Sequence, residues 1–215
     1  MKAPPRRLAL PLALAIAALL LWGTFVVYPF RLFVVFLHEI SHGLAAVASG
    51  GRIVSIGLSF DEGGVCLTRG GWPFLILNAG YLGSLLWGGL FLLLGGRRAR
   101  ARSVIAVVGV FTLAVTLLYV RTWFGFFYGL AAGLVLLAVA AKLKPAVSET
   151  LLAAIGATSV LYAVWDIASD VLLRHSGQSD AAALARLTGV PAIFWGIAWI
   201  ALSATVLVSV LRRLT

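Results

Sequence analysis

The sequence predicts an all-α integral membrane protein, a polytopic bundle of about seven transmembrane helices with a short β-hairpin between the second and third. Three observations lead there. First, 62% of the 215 residues are hydrophobic and only 11% are charged, with a mean hydropathy of +1.07. A soluble globule of this size has too little interior to hide that much apolar surface. Second, the charges are spaced so that long runs carry none. Third, one stretch, 49–72, is bounded by Gly50-Gly51 and Gly70-Gly71 and reads differently from everything around it.

The elements follow in order. Crossing a hydrocarbon core of ~30 Å takes about 20 apolar residues in a helix. Uncharged runs at 8–30, 70–96, 103–120, 122–141 and 187–211 meet that length. Two further apolar segments are interrupted, one by Arg31, His38, Glu39 and His42, the other by Asp166 and Asp170. The expected helices are therefore 8–28, 29–48, 73–95, 103–120, 123–141, 149–173 and 190–211. The basic start, Met-Lys-Ala-Pro-Pro-Arg-Arg, resembles a signal peptide. No small-x-small site followed by a polar region comes before the next span, so it reads as an uncleaved first helix. In 52–68, loose alternation, an Asp61-Glu62-Gly63-Gly64 turn and a second short apolar run predict the hairpin.

The charge balance of +10 would suggest nucleic acid in a soluble chain. Here the basic residues end apolar runs and anchor to lipid headgroups, so the expected environment is the bilayer and no nucleic acid. The chain reads as multi-pass in its membrane, the cell membrane if prokaryotic. Seven spans divide Lys and Arg eight against nine, which sets no orientation. Cys66 stands alone, so no intrachain disulfide forms.

Ionisable groups inside a membrane helix are costly and mark function. Three fall within five residues, in His38-Glu39-Ile40-Ser41-His42. On a helix the two histidines lie one turn apart on one face and can chelate a zinc ion. Glu39 then stands where it can act as base toward activated water. Zinc is the expected cofactor. Catalytic zinc usually takes three protein ligands. His175 reads as interfacial, and Asp61 and Glu62 fall in the hairpin turn. Asp180, after Ser179, reads as a helix start with a cap-like role. That leaves Asp166 as the expected third ligand, with Asp170 as the alternative and the other of the two as a partner that orients a histidine.

Phe36-Leu37-His38-Glu39-Ile40-Ser41-His42-Gly43 resembles the core helix of the site-2 protease group, the intramembrane zinc metallopeptidases of family M50. The chain is similar to the M50B-like branch at His42-Gly43-Leu44-Ala45-Ala46, Gly50-Gly51-Arg52-Ile53, Asp61-Glu62-Gly63-Gly64, Ala79-Gly80-Tyr81-Leu82-Gly83-Ser84 and Tyr162-Ala163-Val164-Trp165-Asp166. Tyr81 and Ser84 stand where the classical group has proline and asparagine. Trp165-Asp166-Ile167 stands for its Leu-Asp-Gly. The resemblance implies one membrane-embedded metallopeptidase-like domain over 1–215, with 8–28 as an extra first helix, 29–173 as catalytic core and 190–211 as last helix. It implies an endopeptidase that cuts in or near transmembrane segments of membrane proteins.

Gly80 and Gly83 read as a helix-packing seam. Asn78 and Ser84 are candidates for binding substrate backbone. The hairpin offers an edge strand for an extended peptide. Two other readings use the same cluster: a transporter or proton/metal-path protein, and an inactive membrane scaffold. The lack of an internal repeat weighs against the first and the intact Glu39 against the second.

Overall fold

A computed structural model describes residues 6–95, 98–172 and 179–214. Its elements, in chain order, are α1 (Arg6–Leu20), α2 (Tyr28–Ala48), β1 (Arg52–Leu58), β2 (Gly64–Arg69), α3 (Pro73–Gly95), α4 (Arg98–Tyr119), α5 (Trp123–Lys142), α6 (Pro145–Leu172), α7 (Asp180–Thr188) and α8 (Ala192–Leu214). Among the described residues six helices, α2 to α6 and α8, are long and apolar enough to cross a membrane. The protein is a multi-pass integral membrane protein.

Helix α2 is the centre of the bundle: 72% of its apolar window is buried, against 17% for α8. It starts at Tyr28-Pro29, where proline's fixed φ and missing N–H suit a first turn. It ends in a Schellman motif. Gly50 takes a left-handed φ of 87°, Gly50 N–H donates to Val47 O, and Gly51 N–H donates to Ala46 O at 2.7 Å. Small residues set the packing of the other spans, as expected where lipid tails are as apolar as leucine. A Cβ on Gly88 would lie 2.9 Å from Gly156 O, and one on Gly156 3.0 Å from Gly88 O, so α3 and α6 meet backbone to backbone. Gly109 and Gly133 do the same for α4 and α5.

The hairpin is antiparallel, with Ile56 opposite Cys66, Leu58 opposite Gly64 and an irregularity between Ile53 and Ser55. It does not sit outside the bundle as a simple loop. Seven strand residues rise ~23 Å, most of the ~30 Å length of α2. The hairpin runs back along α2, from Ile53 against Gly43 to Glu62 against Arg31. Ile56 and Leu58 are buried. Strand β1 is fastened to the α4–α5 connection: Arg121 N–H donates to Ile56 O, Leu58 N–H to Thr122 Oγ1, and the Thr122 hydroxyl to Leu58 O. Strand β1 thus has partners on both edges, β2 on one side and the α4–α5 connection on the other.

The first and last parts of the chain differ from expectation. The helix expected over 8–28 stops at Leu20 and is followed by turns. Its 15 residues rise ~22 Å, short of a ~30 Å core. Trp22, in the turns, packs on Tyr162 and beneath the Arg31 guanidinium. Helix α7 was not among the seven expected helices. Ser179 caps it, its hydroxyl accepting from Ala182 N–H, and Gly189 closes it at φ 75°. Ala181 and Leu184, both fully buried, dock α7 on Tyr81, Ile167 and Trp199.

With six long spans and the residues before α2 set aside, alternation gives an unequal tally. Among the described residues Arg31, Arg98, Arg100, Arg102, Lys142, Lys144, Arg212 and Arg213 share one side. Arg52, Arg69, Arg121 and Arg186 share the other. On the positive-inside rule, the first group is the one expected on the cytoplasmic side. Reporter fusions at 97–102 and at 143–144 should read cytoplasmic, and a fusion at Arg121 should read the opposite side.

Candidate metal centre and catalytic cavity

The helical pattern of α2 puts His38 and His42 on one face, their rings 4.7 Å apart and edge to face. From α7, Asp180 reaches both. Its Oδ2 lies 3.1 Å from His38 Nε2 and 3.0 Å from His42 Nε2. Among the described residues, His38, His42 and Asp180 form a group able to hold a metal ion, with one ligand atom from each within 4.8 Å of the others.

The hydrogen bonding on the far side of His42 decides what can sit between these groups. His42 Nδ1 is 2.7 Å from Ile76 O, a carbonyl, so Nδ1 carries the proton and donates. With Nδ1 engaged by a carbonyl, Nε2 is the atom that faces the Asp180 carboxylate oxygen, the arrangement a shared metal ion would use. Tetrahedral zinc with ligands at 2.0–2.1 Å spaces those ligands about 3.3 Å apart, close to what is found here. A histidine that binds metal through one nitrogen commonly donates from the other to a carbonyl, as His42 does. The donor set therefore fits zinc.

Helix α3 comes close enough to make this possible only because residue 80 is glycine. A Cβ there would strike Nε2 of both His38 and His42. One on Gly83 would strike the Ser41 side chain. The expected packing seam is thus the face that α3 turns toward the histidines. Tyr81, beside it, is fully buried, edge-on to His38 at 5.2 Å and against Trp199 at 4.6 Å. It braces His38 and seats α7 and α8 together.

Glu39 is buried, and its carboxylate borders a cavity of about 560 Å³. His38, His42, Asp166 and Asp180 line the same space, with Cys66 and the hairpin turn 61–65 on the other wall. Gly64 lies directly against the Glu39 carboxylate, where any Cβ would collide with it.

The expected site residues separate as follows. His38, Glu39 and His42 share the cavity. Asp166, the expected third ligand, lines the cavity, but the carboxylate against both imidazoles is that of Asp180. The side chain of Asp170 and all of His175 lie outside the described residues. Asn78 and Ser84 do not line this cavity. Asn78 donates to Phe74 O and accepts from the Trp199 indole, tying α8 to α3. Ser84 is buried against α6, its carbonyl accepting from the Ser159 hydroxyl. Sequence reasoning placed the start of a helix at Asp180, and that is where α7 begins. It missed that the same residue projects into the site, for which the only sequence signal was an acidic residue opening a short helix after a polar stretch.

A model of the Peptidase M50B-like family matches residues 11–210, and the chain belongs to that family. It is thereby a peptidase of the site-2 protease type at family level. No curated protein and no solved structure matches the chain.

The close approach at residue 80 can be tested directly. Gly80→Ala should push the imidazoles or α3 aside at a cost of about 1–3 kcal/mol. A lowered thermal midpoint in detergent checks it, and Gly23→Ala, where a Cβ meets nothing within 4 Å, serves as control.

Proposed function

We propose that this protein is a zinc-dependent intramembrane endopeptidase that hydrolyses peptide bonds in or near transmembrane segments of membrane proteins. The observation that carries the reading is the convergence of two imidazole Nε2 atoms on one carboxylate oxygen, beside a buried glutamate in a cavity. The family membership supports it.

His38, His42 and Asp180 would hold the ion. Zinc bound there supplies Lewis acidity toward a scissile carbonyl and toward water. Ile76 O keeps His42 in the tautomer that presents Nε2. Glu39 takes the proton from the attacking water and returns it to the leaving amine. The buried walls exclude bulk water and strengthen each electrostatic contact. A peptide bond inside a helix is shielded by its own hydrogen bonds, so the substrate must unwind locally. Glycine or proline near the cut lowers that cost.

Metal analysis of the purified chain tests the ligand set. One zinc per chain is expected in the wild type. It should be lost in His42→Ala and in Asp180→Ala, and kept in Asp166→Ala. Zinc lost in Asp166→Ala but kept in Asp180→Ala would reverse the assignment. Glu39→Gln should keep its zinc and lose cleavage of a membrane-protein substrate by at least about 10²–10⁴-fold. Wild-type cleavage in that variant would remove Glu39 from the mechanism.

A further inference from the structure

The hairpin turn borders ground that a substrate needs. Gly64 lies so close to the Glu39 carboxylate that not even a methyl group fits between them. A peptide bond placed for attack has to lie against that carboxylate. The turn covers the Gly64 side of that carboxylate, and the rest of the carboxylate faces the cavity, whose wall the turn forms.

Gly64 itself is fixed by its pairing with Leu58 at the end of the ladder, and the tip before it is held by local contacts. Glu62 pairs with Arg31, on the first turn of α2, at 2.8 Å. Phe60 O accepts from the Tyr28 hydroxyl at 2.6 Å. The Tyr28 and Phe60 rings lie 5.4 Å apart, and Phe60 also meets Phe124 edge-on. The outer strand is paired with β1 along its length but shows more of its side chains. In β2, Val65 and Leu67 are exposed, whereas β1 is pinned to the α4–α5 connection. Glu62 sits at a left-handed φ of 65°, a conformation that disfavours side chains, so its ion pair opposes local strain. Gly63 follows at once and supplies the backbone freedom for a hinge.

We propose that the turn from Ser59 to Gly63 is a lid at the mouth of the cavity beside Glu39. It is latched to the start of α2 by the Arg31–Glu62 ion pair and the Tyr28–Phe60 hydrogen bond, and substrate reaches the site only when the latch opens. This rests on the peptidase reading for its purpose but not for its detection. Cys66, the sole cysteine, lines the cavity behind the lid. Burial, with the Glu39 charge adding to it, pushes its thiol up to about 12, so the closed form reacts slowly with alkylating reagents.

Two arms test the lid on the full-length protein in detergent. In the first, a water-soluble maleimide labels Cys66 in the wild type, Tyr28→Phe, Glu62→Gln and the double variant. Each latch contact removed should speed labelling several-fold, and the pair about tenfold or more. An unchanged rate in the double variant would overturn the lid. In the second, Arg31→Cys and Glu62→Cys are introduced with Cys66→Ser and bridged by a short disulfide-containing crosslinker. Bridging should stop cleavage of a membrane-protein substrate, and reductant should restore it. Cleavage by the bridged enzyme at the unbridged rate would also overturn the lid. If the wild type cleaves no membrane protein, the peptidase reading fails, while the Cys66 rates still decide the lid.

Discussion

Two imidazoles and a carboxylate converge at about 3 Å inside an apolar bundle, and much of the surrounding structure serves to make that convergence possible. Helix α2 places His38 and His42 on one face. The absence of a side chain on Gly80 lets α3 close over them. The carbonyl of Ile76 fixes one ring, and Tyr81 braces the other. Helix α7, too short to cross the membrane, is wedged by Ala181 and Leu184 so that Asp180 arrives at the same point. Charged groups in this setting are expensive unless paired. That cost explains why the most buried span is also the one carrying the chemistry.

The hairpin solves a second problem set by the first. A cavity at this depth must be open to a peptide yet closed to lipid. Strand β1 is satisfied by the α4–α5 connection and buries Ile56 and Leu58, so it behaves as a wall. Strand β2 and the turn face the cavity; the strand is held by its ladder to β1, and the tip by a few contacts to the start of α2. A strand fastened on both edges beside one fastened on a single edge gives a wall and a cavity-facing tip from one hairpin.

The two halves of the site were not equally readable. His38, Glu39 and His42 lie within five residues, and their meaning depends only on helical periodicity, a local property. Asp180 is 142 residues from His38, and no local pattern links them. Ser179-Asp180 looked like a helix cap, and the serine is one. The aspartate does a second job that appears only when α7 is docked. Asp166 looked the better ligand because it breaks an apolar helix, and it does border the cavity. The distance to the imidazoles, which sequence depth along a helix does not measure, favours Asp180.

The sequence by itself determined the membrane class, most of the spans, the presence of the hairpin and the core of the site. Each of these follows from composition, uncharged run length or spacing within a few residues. Tertiary structure decided that the first apolar run makes only a short helix, that the hairpin lies along α2, and which carboxylate meets the histidines. The physical reason is common to all three. They depend on how elements distant in the chain share a limited interior, where a glycine's missing side chain or a nine-residue helix settles which groups can touch.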